Sequence, residues 1–201
     1  FLTALVNSIG VMASAAVGAV GKLNGFAILP GIAMSTSVSA MSAQNIGAKK
    51  YDRAAKTMLV GMAISMAISI VIFFIVGVFP ESCMRLFGND PEFIANGVAY
   101  IKAFKYDYLV APLCFCFNGL FIGAGHTNFS LINGIMSSLL FRIPASYIFG
   151  MVLNMGLLGV GLGGPIASAA AMVFGLGFFL TGRWKKLIIH SVDTEKVQAI
   201  E

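Results

Sequence analysis

The stretch AQNIGAKKYDRAAK (residues 43–56) brings four cations together between two long uncharged runs. Residues 23–48 contain no Asp, Glu, Lys, Arg or His, and residues 57–79 contain none either. A helix of about 20 apolar residues crosses the ~30 Å hydrocarbon core of a bilayer. Both runs are therefore predicted to be transmembrane helices, and the cations between them are predicted to lie in a loop at the membrane surface.

The whole chain has the composition of a membrane protein. Of its 201 residues, 58% are hydrophobic and only 10% are charged, and its mean hydropathy is +0.91. Soluble domains carry about 25% charged residues, so this chain lacks the polar surface that a soluble fold needs. Its net charge of +5 lies beside apolar runs, not on an amphipathic face interleaved with aromatics, so no nucleic acid partner is expected.

The same pattern recurs along the chain and predicts six membrane spans. The runs that define them cover residues 1–21, 23–48, 57–79, 108–125, 127–151 and 165–182. Because the chain is already apolar at residue 1, we expect the first span to be cut short. The predicted fold class is an all-α integral membrane protein with a six-helix transmembrane bundle.

The connections between spans carry helix-start and turn signals. In GNDPEF (88–93), Asp90 is predicted to cap a helix with Pro91 at its first position, so the fourth helix begins well before its uncharged core. Pro112 is expected to bend that helix. The stretch MGLLGVGLGGPI (155–166) is predicted to be a flexible turn, and its GxGxxG spacing is not a dinucleotide site because no strand precedes it.

The distribution of cations predicts the orientation of the chain. The loop quoted above and residues 183–186 together hold seven cations, and four spans separate them, so both lie on one side. The opposite side holds four cations, mixed with acidic residues. Positive residues accumulate in cytoplasmic loops. Residues 1–186 are therefore predicted to form the transmembrane unit, and residues 187–201 a cytoplasmic tail.

Topology alone does not account for the polar residues where the second span leaves the membrane. The stretch SAQNIGAKKYDRAAK (42–56) closely resembles the GQNxGAxxxxR signature of MATE-family multidrug exporters, and GLFIGAGHT (119–127) resembles the GxxxGxGxT ending of their tenth helix. Shorter resemblances cover LVNSIG (5–10), GKLNGFAILPGIAMSTS (21–37), FRIPASYIF (141–149) and GRWKK (182–186). The residues that match the two family motifs are Gln44, Asn45, Gly47, Ala48, Arg53, Gly123, Gly125 and Thr127.

This resemblance implies a fold of twelve helices in two six-helix lobes, of which the chain is the second, helices seven to twelve. It implies antiport of organic cations, drugs or metabolites against protons or sodium ions, with the N-terminal lobe of the same polypeptide as partner and no other cofactor. A multi-pass protein of a prokaryotic plasma membrane is expected. Some sodium-coupled members carry a carboxylate deep in the tenth helix, where residues 111–113 here read Ala-Pro-Leu, so the coupling site is expected in the N-terminal lobe.

Polar residues inside the spans are candidates to line a substrate cavity at the interface between the two lobes. Asn7 and Asn118 are predicted at mid-span, and Asn24 near an outer end. Such asparagines either hydrogen-bond between helices, which contributes about 0.6–2 kcal/mol each, or face the cavity. The candidates are Asn7, Asn24, Tyr106, Asp107, Asn118 and Arg142. Small residues at Gly119-x-x-x-Gly123 and Gly21-x-x-x-Gly25 are expected to permit close helix contact.

Arg142 is the one charge deep inside a predicted span. An arginine at mid-membrane costs ~2.5–3.5 kcal/mol on insertion scales, so a partner is expected. We predict that it faces the bundle interior and pairs with Asp107, beside Tyr106 or Tyr108, because the two lie at similar depth in neighbouring helices. The alternative is that Arg142 binds backbone carbonyls near Pro144.

Two other functions fit part of the pattern. A lipid-linked oligosaccharide flippase shares the helix architecture, although such a flippase would favour several deep cations and only Arg142 is present. A membrane-embedded enzyme would need acids or metal ligands in the bilayer, and the spans hold no carboxylate pair and no Ser–His–Asp set. Cys114-x-Cys116 has no His or carboxylate nearby at ligand spacing, so no metal site is predicted.

Overall fold

The computed structural model describes residues 2–185; the predicted tail of residues 187–201 lies outside them, as does Lys186. Within residues 2–185 the chain is helical and contains no strand. The α-helices are α1 (Leu2–Asn7), α2 (Val11–Ala27), α3 (Leu29–Gly47), α4 (Tyr51–Val78), α5 (Pro80–Arg85), α6 (Pro91–Phe104), α7 (Asp107–Gly123), α8 (Thr127–Met136), α9 (Ile143–Tyr147) and α10 (Gly156–Leu180). Two π-helical segments, Ser137–Arg142 and Ile148–Val152, flank α9 and join it to α8 as one helical run.

The all-α membrane fold class is confirmed. Four helical runs in the described chain are long and apolar enough to cross a membrane, and α6 with α7 adds a fifth if the bent pair is one span. Large apolar side chains are exposed along the outer faces of α4 and α8. Lipid takes the place of water around such faces.

The first two predicted spans are divided at a different place from the one predicted. α2 and α3 form one continuous run, Val11–Gly47, and the break lies at residues 8–10. The boundary predicted at Lys22 is wrong, because this lysine lies about 37 Å along the helix from Gly47, farther than the ~30 Å core is thick. The charge of Lys22 therefore lies outside the hydrocarbon core even though the helix continues through this position. The short α1 stands first in the described chain, and up to five spans follow.

The glycine-rich stretch 155–166 is not a flexible turn. The chain reverses within residues 153–155, and the rest of the stretch forms the first turns of α10. A Cβ at Gly159 would collide with the backbone carbonyl group of Phe149, because the two helices approach each other closely there. Tertiary packing thus overrides the low helix propensity of glycine.

The fourth predicted helix begins where the capping signal placed it. The Asp90 carboxylate accepts hydrogen bonds from the backbone N–H groups of Glu92 and Phe93, at 2.9 and 3.1 Å, and caps α6. The predicted bend lies elsewhere: α6 and α7 meet at 51°, across Lys105 and Tyr106, while Pro112 lies inside α7. The residue that follows this bend is Asp107.

Two buried hydrophobic clusters fill opposite ends of the bundle. The tail-side cluster consists of Val38, Ile46, Ala54, Met58, Cys116, Phe117, Leu120, Phe121, Ala124 and Trp184. The cavity-side cluster consists of Leu5, Val6, Ala13, Ala16, Ala19, Val20, Val76, Cys83, Met84, Phe93, Tyr100, Ile101, Phe104, Tyr108, Leu157 and Val160. The first gathers the ends of α3 and α7 and the start of α4. The second gathers α1, α2, α5 and α6 with the end of α4 and the starts of α7 and α10.

Candidate functional site

A cavity of about 280 Å³ lies within the cavity-side half of the bundle. It is enclosed by α1, α2, α6, α9, α10 and the π-helical segment before α9. The lining residues are Leu2, Thr3, Val6, Ser14, Val17, Gly18, Tyr100, Arg142, Ser146 and Val160. Hydroxyl groups and one guanidinium therefore face a partly open space that is otherwise lined by apolar side chains.

The local helix geometry places Arg142 in this cavity. Arg142 is the last residue of the π-helical segment Ser137–Arg142, a kind of helix that is rare and occurs frequently at functional sites. Its guanidinium interacts electrostatically with the Tyr100 hydroxyl and with Asp107. The prediction that Arg142 faces the bundle interior is confirmed.

Asp107 begins α7 directly after the bend and is half-buried. Its carboxylate accepts a hydrogen bond from Ser168 Oγ at 2.5 Å, and the Ser168 carbonyl oxygen accepts one from Cys114 Sγ at 3.1 Å. The predicted direct ion pair with Arg142 is not formed: no such pair within 4.0 Å joins residues of the described chain. Ser168 on α10 binds the carboxylate instead, and the arginine acts on it at longer range.

The other candidates do not line the 280 Å³ cavity, and their predicted role at the lobe interface stays a prediction. Asn7 is at the end of α1, not at mid-span, and accepts a hydrogen bond from Ser14 Oγ at 2.5 Å, which ties α1 to α2. Tyr106 is exposed in the bend, with its ring 5.8 Å from that of Phe73, and does not line the cavity.

Asn24 and Asn118 also lie outside the 280 Å³ cavity. The Oδ1 atoms of both are buried, and neither accepts a hydrogen bond from another residue of the described chain. Asn133 behaves as interhelical hydrogen bonding predicts, because its Nδ2 donates to Ala171 O on α10 at 3.1 Å. A role for Asn24 and Asn118 toward a second lobe stays a prediction.

Sequence reasoning missed three polar residues of this region. Ser146 lines the cavity one helical turn after Arg142 and donates to Val160 O at 3.2 Å. Tyr100 and Ser168 contact the two charged groups from α6 and α10. Arg142 and Ser146 are four residues apart, so they lie on one helix face. That spacing could have predicted Ser146 as a neighbour of Arg142 from the sequence. No spacing along the chain could bring in Ser168, which lies 61 residues from Asp107.

The residues of the first family motif end a helix. Lys49, with a φ of 60°, takes the left-handed conformation just after α3. Its N–H donates to Ile46 O at 2.8 Å, and the Lys50 N–H donates to Asn45 O at 2.7 Å, which together form a Schellman motif. The motif residues Gln44, Gly47, Ala48 and Arg53 are exposed, and Asn45 is half-buried. None of the five lines the 280 Å³ cavity.

The second family motif also ends its helix, α7, with a Schellman motif. Gly125 has a φ of 84°, its N–H donates to Ile122 O at 3.0 Å, and the His126 N–H donates to Phe121 O at 2.8 Å. Thr127 then begins α8. Both motifs thus define how a helix ends and where the next one starts.

Glycines of α7 bring it directly against the backbone of α3. A Cβ at Gly119 or Gly123 would collide with the carbonyl oxygen of Ser35 or Ser39. The predicted close contact at Gly119-x-x-x-Gly123 is therefore confirmed. The matching prediction for Gly21-x-x-x-Gly25 is wrong within the described chain, because a Cβ at either position would meet no atom within 4 Å.

The cysteines of α7 serve separate contacts. Cys114 Sγ donates a hydrogen bond to Ser168 O on α10, while Cys116 Sγ lies 3.8 Å from Ser65 Oγ on α4. The two thiols thus face different helices. Within residues 2–185 no three His, Cys, Asp or Glu side chains come together in a way that could hold a metal ion.

Comparison with known proteins extends the resemblance carried by the motifs. The MatE family model matches residues 1–148. The chain is 28% identical over 186 residues to "Probable multidrug resistance protein YpnP" of Bacillus subtilis, an alignment that covers 92% of this chain and 41% of that protein. The chain therefore spans about two fifths of the length of the curated relatives it matches.

Solved structures share the fold. A MATE crystallised in the bent conformation matches with a TM-score of 0.83 at 19% identity, over 90% of this chain and 40% of that one. A MOP superfamily transporter from Pyrococcus furiosus matches with a TM-score of 0.81 at 19% identity, again over 90% and 40%. At such identities the likeness concerns the fold alone. Since the family model covers well over half of its residues, the chain belongs to the MatE family.

Proposed function

We propose that this chain is one lobe of a secondary antiporter, which exports organic cations, drugs or metabolites when joined to a second six-helix lobe of the same polypeptide. The observation that carries the proposal is a partly polar cavity in a bundle of membrane-capable helices, with Arg142 in its wall and Asp107 nearby. Ionisable side chains at membrane depth are costly and mark transport pathways. A relative named as a multidrug resistance protein supports the substrate class.

The chemistry of the cavity suits amphipathic molecules. Asp107 supplies a negative charge that attracts a cationic group, while the Arg142 guanidinium and the Tyr100 hydroxyl offer hydrogen bonds to carbonyl or ether oxygens. Alternating access moves one repeat or lobe against the other around such a site. The N-terminal lobe is therefore a required partner in this proposal, and the isolated lobe is expected not to transport.

The driving ion is proposed to be a proton or a sodium ion, bound in the N-terminal lobe. The lack of an acid at residues 111–113 supports that placement. A relative from Bacillus subtilis supports a prokaryotic plasma membrane as the location. The excess of cations in residues 49–56 and 183–186 supports a cytoplasmic C-terminus.

Export by the two-lobe protein tests the proposal. Cells that express it should accumulate less of a lipophilic cationic dye than control cells, and the difference should vanish when both the proton and the sodium gradient are dissipated. Residues 1–201 expressed alone serve as the matched control and should give no export. Export that persists without either gradient would exclude secondary antiport.

Cysteine labelling tests the orientation. In a background without the three native cysteines, a membrane-impermeant thiol reagent applied outside should label Asn89→Cys and miss Lys50→Cys. The opposite pattern would reverse the proposed topology.

A lipid-linked oligosaccharide flippase is the second candidate. The position of Arg142 in the cavity wall favours it, because a guanidinium suits the phosphate groups of such a lipid. The Pyrococcus furiosus transporter is described as having a binding pocket of reverse polarity and a different function. Turnover of a lipid-linked sugar in proteoliposomes without an ion gradient would favour this candidate over the exporter. The names of the relatives favour transport over a membrane-embedded enzyme.

A further inference from the structure

A groove of about 360 Å³ runs between α3 and α4, on the side of the bundle away from the Arg142 cavity. Two stripes of side chains line it, one from each helix. The stripe of α3 contains Met34, Ser37, Val38, Met41 and Asn45, and the stripe of α4 contains Arg53, Lys56, Thr57, Val60, Gly61 and Ile64. Each stripe repeats every three to four residues, so it occupies one face of its helix.

The groove has the depth of one membrane leaflet. Asn45 to Met34 along α3 and Arg53 to Ile64 along α4 each cover eleven residue steps, or about 16 Å at 1.5 Å per residue. One leaflet of hydrocarbon is about 15 Å thick, half of the ~30 Å core. Because α4 is a membrane-capable helix that begins at Tyr51, the Arg53 end of the groove lies at the water boundary.

Charge is concentrated at that boundary end. Arg53 and Lys56 are exposed, stand three residues apart on the same face of α4, and form no ion pair with a carboxylate of the described chain. No Asp or Glu of residues 2–185 lines the groove. The water-side end therefore offers an anionic group two cations that no carboxylate of those residues pairs.

Below the cations the groove is effectively apolar. Its three polar side chains donate to the backbone of their own helices: Ser37 Oγ to Ala33 O at 3.0 Å, Asn45 Nδ2 to Met41 O at 2.8 Å, and Thr57 Oγ1 to Arg53 O at 2.9 Å. The walls are the exposed apolar side chains of Met41, Val60 and Ile64. The floor is closed, because a Cβ at Gly61 would collide with Val38 Cγ2.

We propose that this groove binds one phospholipid with an anionic headgroup. The phosphate lies between Arg53 and Lys56, and one acyl chain lies along Met41, Val60 and Ile64. Cations at the leaflet surface above an apolar channel one leaflet deep match the chemistry and length of such a lipid. Basic side chains next to a membrane attract anionic lipid headgroups in this way.

The test uses the two-lobe protein in mild detergent, titrated with phosphatidylglycerol and, separately, with phosphatidylcholine of the same acyl chains. Binding is followed by native mass spectrometry. Arg53→Gln with Lys56→Gln should weaken phosphatidylglycerol binding about 25-fold, since each basic side chain near an anionic surface contributes about fivefold. Lys49→Gln with Lys50→Gln is the matched control: it removes the same charge just before α4, outside the groove, and should leave binding nearly unchanged.

A second variant keeps both cations and blocks the channel. Ser37→Trp places a large ring in the groove from an exposed position, and it should abolish retention of the lipid with little effect on folding. Glycerol 3-phosphate, the soluble headgroup fragment, should not displace the lipid, because the acyl chain contributes to binding.

Four results would overturn the proposal. They are equal binding of phosphatidylglycerol and phosphatidylcholine, an equal loss in the control variant, displacement by glycerol 3-phosphate, and absence of lipid binding in the unmodified protein. The third would indicate a site for soluble phosphate compounds, and the fourth a groove that is covered by the second lobe. If the Arg53→Gln, Lys56→Gln variant fails to fold, lipid retention by Ser37→Trp alone tests the proposal.

Discussion

The two ends of the bundle draw mostly on different helices and differ in what they hold. Stacked aromatic rings pack against the tail-side cluster, among them Phe129 on Phe178 at 4.0 Å and Phe179 on Trp184 at 5.4 Å between centroids. The cavity-side half also has a hydrophobic cluster, but it encloses a space of about 280 Å³ with a guanidinium in its wall. A tightly packed end resists change of shape, whereas an end with a partly polar cavity has room for a ligand.

The comparison also separates two uses of small residues. At the tail side, Gly119 and Gly123 bring the backbones of α3 and α7 into direct contact. At the cavity side, Gly18 and Ser14 leave space that larger side chains would fill. Small residues therefore tighten one end and open the other, and substitutions at each end should have different consequences.

The largest effect is expected at the glycine contact of the tail side. Gly123→Val should destabilise the two-lobe protein by about 3 kcal/mol, because the new side chain meets backbone atoms that cannot move aside. The measurement is thermal unfolding together with the yield of monodisperse protein. Gly134→Ala is the control, since a Cβ there meets nothing within 4 Å. An equal loss in both variants would mean that close packing does not distinguish this end.

A smaller effect is expected for the charges at the cavity side. Asp107→Asn and Arg142→Gln should each cost about 2 kcal/mol of stability, because each leaves the other group without its electrostatic partner. The double variant should lose less than the sum, with a coupling of about 1 kcal/mol. Denaturant unfolding of the four proteins measures the cycle. Strict additivity would show that the two charges act independently.

Removal of one hydrogen bond at the cavity side should cost less. Ser168→Ala deletes the donor to the Asp107 carboxylate and should destabilise the protein by about 1.5 kcal/mol, as expected for a bond to a charged group. The exposed Ser138→Ala is its control. If Asp107 is also part of the transport site, dye export should fall in Ser168→Ala and remain in Ser138→Ala.

The smallest effect is expected for the aromatic anchor of the tail side. Trp184 is buried, stacks on Phe179 and donates its indole N–H to Phe179 O at 3.1 Å. Trp184→Phe retains a stacking ring and loses one hydrogen bond, so it should cost about 1 kcal/mol. Trp184→Leu, which loses the stack as well, should cost more in the same thermal unfolding measurement. Equal losses would mean that stacking contributes nothing.

Features that depend on neighbours along the chain were predictable. The uncharged run of α4 and the Asp90 cap of α6 follow from residues within a few positions of one another. Of the four cations predicted in the loop, Lys49 and Lys50 lie there, while Arg53 and Lys56 lie in the first turns of α4. The close contact at Gly119-x-x-x-Gly123 was also visible as a spacing. The wrong predictions concern places where the local signal is weak. Lys22 alone was the basis for a predicted boundary between two spans, and the glycines of residues 155–166 were the basis for a predicted turn.

The amino-acid sequence by itself determined that the chain is a helical membrane protein of a recognisable family, because hydrophobic run length, caps and motifs are local properties. Only the tertiary structure decided which groups meet. Asp107 binds Ser168 and Arg142 lies beside Tyr100, although these partners are 61 and 42 residues apart in the chain. Such partnerships depend on how helices cross and where α6 bends into α7, and no periodicity along a single helix encodes that geometry.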